Sequence, residues 1–152
     1  MHRDALVHAQ LGDAFEFFAN AANLERLTPP WLRFSIQTPM PLVMREGLEI
    51  EYRIRLYGVP VRWVSVIDVW EPGRRFVDRQ IAGPYRWWRH EHRFEPAGHA
   101  TRMIDTVEYL PRAAWLTGRF VRRDVDRIFD YRHAALRRVF DAGELLCLIL
   151  RS

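Results

Sequence analysis

The chain has a single cysteine, Cys147, and no lysine at all among its 152 residues. One thiol rules out a disulfide framework and fits a reducing compartment. Long apolar runs are also missing. The longest, Leu145 to Leu150, falls far short of the ~18 residues a membrane span requires, so no stable membrane association is expected. Met1-His2-Arg3-Asp4 lacks the basic-then-apolar order of a signal peptide, and the expected location is the cytoplasm. There is no GxGxxG, P-loop or Ser-His-Asp elbow to point to a nucleotide or a serine nucleophile. With no repeat, low-complexity tract or linker, residues 1–152 are expected to form one domain, with 143–152 as a C-terminal tail.

What is present is apolar, aromatic and arginine-rich. Hydrophobic residues make up 49% and aromatics 13%, enough for a core that needs no staple at this length. All 23 basic residues are arginine, and the net charge is +4. That charge invites a nucleic-acid reading. A complete absence of lysine, however, points to genomic base composition, and the arginines are interleaved with Asp and Glu along the whole chain. The close pairs are Arg74-Arg75, Arg122-Arg123 and Arg137-Arg138. The charge therefore reads as a solvated surface, with no specific nucleic-acid partner expected.

Periodicity divides the chain into three stretches. Asp4 to Ala9 reads as a first strand. Asp13 is a good N-cap for a helix carrying Ala14, Phe17 and Phe18 on one face. A second short helix, Asn23 to Leu27, must end at Thr28-Pro29-Pro30. The period then changes to two. Leu32, Phe34 and Ile36 alternate with polar residues, as do Leu48, Ile50, Tyr52, Ile54 and Leu56. Further strands are expected over Val61 to Val69, Phe76 to Gln80, Trp88 to Phe94 and Met103 to Tyr109, separated by Glu71-Pro72-Gly73, Gly83-Pro84 and Pro96-Ala97-Gly98-His99. Finally Val121, Val125, Ile128, Ala135 and Val139 recur at helical spacing. Gly118 to Phe140 would span ~35 Å as a helix, stopped by Asp141-Ala142-Gly143. The fold class is thus α+β: a curved antiparallel sheet of about seven strands, two short helices, and a long C-terminal helix that covers the concave face over a cavity.

This order resembles the helix-grip fold of the START/Bet v 1-like superfamily, also called the SRPBCC or polyketide cyclase/lipid-transport group, over nearly the whole chain. Asn23 to Trp31, Gly58 to Trp63, Gly83 to His90 and Ile128 to Arg132 resemble uncharacterised bacterial ligand-binding SRPBCC proteins. The resemblance implies a hydrophobic-ligand cavity between sheet and long helix. It implies no shared catalytic motif, so function has to be argued from the site.

Strand alternation nominates the lining. Tyr52 and Trp63, Asp78 and Gln80, Trp88 with His90 and His92, and Met103 with Asp105 fall on the more apolar, inward faces of their strands. Buried polar groups need partners, so His90, His92, Asp78, Gln80 and Asp105 form either a ligand-orienting set or a self-satisfied network that fixes strand register. His90 and His92, two apart on a strand, point the same way, and Asp78 or Asp105 could complete a metal site. With no third anchored ligand in the sequence, no metal or other cofactor is expected. Arg132 interrupts the apolar stripe of the long helix. It is either a snorkelling edge residue or an inward guanidinium that pairs with Asp105, Asp78 or an acidic ligand. Trp31 and Trp115 fall near the expected cavity mouth, Cys147 reads as a packed thiol, and Leu145 to Leu150 is an extra packing segment or a dimer contact.

The resulting expectation is a protein, monomeric or homodimeric, that binds a small hydrophobic or aromatic molecule for transport or sequestration. The alternative is a polyketide cyclase/dehydratase-type enzyme with His90, His92 and Asp105 as candidate acid–base residues and Tyr52, Tyr85 or Tyr109 stabilising an enolate.

Overall fold

Why the chain curls around a hollow follows from its strand-by-strand layout. This computed structural model describes residues 1–112 and 114–141, apart from the side chains of 114–117 and 141. Among the described residues there are seven strands: β1 (His2–Val7), β2 (Ser35–Ile36), β3 (Glu49–Leu56), β4 (Val59–Glu71), β5 (Arg75–Ala82), β6 (Tyr85–Ala97) and β7 (Ala100–Pro111). The helices are α1 (Leu11–Ala19), α2 (Asn23–Leu27) and α3 (Ala114–Asp141), with a 3-10 turn at Pro30–Leu32. The strands form one antiparallel sheet in the order β1-β7-β6-β5-β4-β3-β2. The fold class is the expected one: α+β, with the long helix laid across an open, curved sheet.

Tight hairpins set the register. Tyr57 and Gly58 both take positive φ, 53° and 82°, and they alone link β3 to β4. Two left-handed residues give the turn whose twist matches that of the flanking strands. Curvature comes from irregularities in the ladder: β4 shifts register against β5 between Val64 and Ser65 and again between Ile67 and Val69, and β6 shifts against β7 between Tyr85 and Trp87. Each extra residue bends the bulged strand.

Several local expectations are corrected. α1 starts two residues before Asp13. Gln10 occupies the N-cap position, and the Ala14 N–H donates to its carbonyl at 2.9 Å. Asp13 lies in the first turn, where its carboxylate favours the helix dipole. The strand expected from Leu32 shrinks to Ser35–Ile36 because Pro30 starts a 3-10 turn and Arg33 turns left-handed at φ 44°. β1 begins at His2 and ends at Val7. Trp115 falls inside α3 and not before it. Cys147, the Gly143 stop and the 143–152 tail lie outside the described residues.

Two packed clusters flank the hollow. The larger joins Phe15, Phe17 and Phe18 of α1 to Phe94 and Met103 of the sheet and to Leu136, Val139 and Phe140 of α3. The smaller packs Val125 and Phe129 of α3 onto Val107 of β7. Arginines elsewhere are tied to carboxylates: Arg62 to Glu51 at 2.7 Å, Arg75 to Glu71 at 2.7 Å, Arg79 to Asp68 at 2.7 Å and Arg102 to Asp4 at 3.0 Å. No described helix is long and apolar enough to cross a membrane.

Candidate functional site

Between α2, the 3-10 turn, the middle of α3 and strands β3 to β6 lies a cavity of about 160 Å³. Its walls are apolar and aromatic: Leu24 and Leu27 of α2, Phe34, Ile54, Trp63, Trp88, and Ile128 and Phe129 of α3. Tyr52 and Trp63 are directly opposed on β3 and β4 and stack with centroids 5.9 Å apart. Trp88 meets Trp63 edge-on at 5.3 Å. On one side the cavity ends in polar side chains: Tyr52, Asp78, His90, His92 and Arg132. A smaller hollow of about 60 Å³ shares Leu24, Tyr52, Asp78, His92 and Arg132 with it.

The polar floor follows from strand register. Asp78 of β5 is opposite His90 of β6, and His92 is opposite Asp105 of β7. The two imidazoles therefore stand side by side, centroids 3.7 Å apart, with one carboxylate on either flank. His90 Nε2 donates to Asp105 Oδ1 at 2.8 Å. His92 Nδ1 lies 2.8 Å from the same oxygen, off the line its N–H would take. Asp105 is wholly buried. Arg132 enters from α3 above, its Nε 3.8 Å from Asp105 Oδ2 and its guanidinium 5.4 Å from the Phe18 ring centroid. Neither Nε nor one Nη of Arg132 has a hydrogen-bond partner, although the residue is buried.

Charge is distributed unevenly among these groups. Burial would push the Asp105 carboxyl up, but Arg132 and the two histidines outweigh it and hold the group well below the usual carboxylate range. Burial, helped by the neighbouring His92, pushes His90 down to about 4, so it is neutral at pH 7. Burial also opposes a charge on His92, yet the Asp105 charge beside its ring prevails and raises it. The two adjacent imidazoles are thus pushed in opposite directions, His90 toward the neutral form and His92 toward the protonated one. Burial raises the Tyr52 and Tyr85 phenols, which stay protonated as hydrogen-bond donors.

Of the residues nominated from sequence, Tyr52, Trp63, Asp78, Trp88, His90, His92 and Arg132 line the cavity. Asp105 sits behind the histidines. Two nominations are corrected. Met103 is fully buried in the larger packed cluster, because α1 fills that part of the concave face. Gln80 folds back onto the β5–β6 turn, its Nε2 donating to the Tyr85 carbonyl at 2.9 Å. Sequence reasoning missed Ser65, whose hydroxyl meets Tyr52 Oη at 2.9 Å and accepts from Trp63 Nε1 at 3.0 Å. Its position two residues after Trp63 on one strand was the available signal. Phe129 and Ile128 were read only as core stripe. Trp31 is exposed and borders a neighbouring hollow that shares Leu32, Leu56 and Ile128 with the cavity. The side chain of Trp115 lies outside the described residues.

Sheet order, long helix and the hollow between them define a helix-grip fold, and solved structures share it. The Zhui aromatase/cyclase of Streptomyces sp. R1128 superposes with a TM-score of 0.71 at 19% identity, covering 94% of this chain and 96% of that one. Protein Ms6760 from Mycobacterium smegmatis gives 0.70 at 14% identity over 93% and 90% of the two chains. Ara h 8.0201 gives 0.68 at 14% identity over 97% of both. Identities this low speak to fold alone. No curated protein matches the sequence. The chain belongs to the domain of unknown function family DUF8410, whose family model matches residues 19–140.

Proposed function

We propose that the protein binds a compact aromatic or alicyclic molecule bearing an acidic or carbonyl oxygen, held with its ring among Trp63, Trp88 and Phe129 and its oxygen toward Arg132. The observation that carries this reading is Arg132: a buried guanidinium with unpaired N–H groups at the wall of an otherwise apolar cavity. Unpaired buried donors are costly, and an oxygen acceptor on a ligand would satisfy them. Size narrows the class. A dry engineered cavity of ~150 Å³ accommodates benzene, so a space of about 160 Å³ suits one ring more than a long acyl chain. Transport or sequestration is the use such a binder would serve.

A catalytic reading is favoured by one feature. His90 is neutral at pH 7, backed by an ionised Asp105, which suits general acid–base work on an enolisable ligand. The structural likeness to an aromatase/cyclase agrees with it without deciding it.

Calorimetric titration with a panel of monocyclic aromatic acids and their uncharged amides tests the proposal. An acid should bind more tightly than its amide in the native protein, and Arg132→Met should abolish that preference by ~10-fold or more. Acid and amide binding alike, or an unaltered preference in the variant, would remove Arg132 from recognition. Turnover of a bound ligand that His90→Gln eliminates, with affinity retained, would make the protein an enzyme.

A further inference from the structure

We propose that Asp78, His90 and His92 form a binding site for one divalent first-row transition-metal ion, with its remaining coordination positions open to the cavity. Asp78 Oδ1 lies 3.8 Å from His90 Nδ1 and 3.6 Å from His92 Nε2, and the three donor atoms lie within 4.8 Å of one another. These separations are too long for hydrogen bonds, so three polar atoms converge without binding each other. Donors around an ion with bonds of ~2.1 Å stand ~3.0–3.4 Å apart, so small side-chain movements suffice to close the set.

Asp105 supplies a second, independent observation. It lies against the far nitrogen of each ring, 2.8 Å from His90 Nε2 and 2.8 Å from His92 Nδ1. His90 Nε2 donates to that oxygen, and beside His92 Nδ1 the anionic carboxylate favours a proton over a second lone pair even though the N–H points off line. The lone pairs are thereby directed to His90 Nδ1 and His92 Nε2, the two atoms that face Asp78. A carboxylate behind a ligating histidine is how metal sites fix ring orientation and tautomer. Here one buried carboxylate serves both rings, and Arg132 takes up part of its charge from the other side. The frame is stiff, since the ligands stand on adjacent strands β5 and β6 in register.

Donor chemistry selects the ion. Two imidazoles and one carboxylate suit zinc, iron(II) or cobalt(II), whereas magnesium and calcium favour all-oxygen sets. Three protein ligands leave open positions, as in sites that also bind a small molecule. An anionic oxygen held by Arg132 would then lie beside the ion. The metal site itself does not depend on that ligand reading.

Cobalt(II) titration of the untagged, chelator-stripped full chain, followed by its visible ligand-field absorption, is the test. One equivalent should saturate, and X-ray absorption of the loaded native protein should show two imidazole nitrogens. Asp78→Asn and His92→Gln should each weaken binding at least tenfold, Asp105→Asn by ~10–100-fold, while Glu91→Gln on the opposite face of β6 changes nothing. Absence of a saturable band in the native protein, or of imidazole scattering, would overturn the site. The native-protein measurements hold even if a variant fails to fold. If the stripped protein still binds aromatic acids but takes no cobalt, the metal site is wrong and the cavity reading stands.

Discussion

Asp105 is the residue on which the site is built. It is fully buried, accepts from His90 and lies opposite Arg132. Removing one partner of a buried charge set leaves the others uncompensated, typically at ~3–5 kcal/mol. Asp105→Asn is therefore expected to lower unfolding stability by about 3 kcal/mol, read from the midpoint of a denaturant titration; an unmoved midpoint would mean that Asp105 is not charged in the folded chain. The histidines give stability a two-sided pH dependence. An unfolded histidine takes a proton near 6.5, whereas folded His90 resists until about 4. Between those values the unfolded state holds more protons, so stability falls as pH falls, by on the order of 3 kcal/mol when complete. His92 works in the other direction. Its raised pKa contributes stability that is fully present below 6.5 and is lost as pH rises through the higher folded value. Denaturation followed between about pH 4 and 9 should peak near the ordinary histidine pKa. His90→Asn should flatten the acid limb, and His92→Asn the alkaline one. A native curve that is flat on both sides would contradict these assignments.

At the level of elements, α3 both closes the hollow and sets its size. Phe129 lies on the cavity wall and packs into the smaller cluster. Phe129→Ala is expected to cost about 3 kcal/mol and to move ligand preference from one ring toward two. Leu136→Ala, a turn or two further on and within the larger cluster, should cost a similar amount and leave preference unchanged. Equal shifts in the calorimetric panel for both variants would show that the cavity is not bounded by Phe129. The elements also explain what the sequence disclosed. Trp88, His90, His92 and Phe94 alternate on one strand, and a one-sided sheet makes that alternation readable. Asp78, His90 and His92 were nominated this way, and Arg132 by its break in the apolar stripe of the long helix. What stayed hidden depends on the third dimension. Alternation puts Met103 on the concave face, but only the packing of α1 decides that its region is filled. It puts Gln80 beside Asp78, but β5 ends at Ala82, and the side chain turns to the neighbouring hairpin. Ser65 is buried at period two with Trp63 and Ile67 on β4, but a lone serine within a β-branched run carries no chemical signal of its own, so it went unseen. Proline at 30 and left-handed Arg33 shortened a strand that hydrophobic spacing alone would extend.

Across the whole molecule, charge and cavity are separate systems. Arg62, Arg75, Arg79 and Arg102 are paired with carboxylates away from the cavity, and the net charge of the chain is a modest +4. Any association with duplex DNA is expected to be indifferent to sequence and lost by roughly 0.2 M salt; sequence-dependent retention at that salt would contradict the reading of the arginines as a solvated surface. The central claim concerns the interior. Chemical-shift mapping of the isotope-labelled protein with a bound monocyclic aromatic acid tests it most directly. Signals of Tyr52, Trp63, His92 and Phe129 should move together and saturate at one equivalent. Movement confined to the arginine-lined outer groove along Arg119, Arg122 and Arg127 of α3, with those interior signals still, would contradict it.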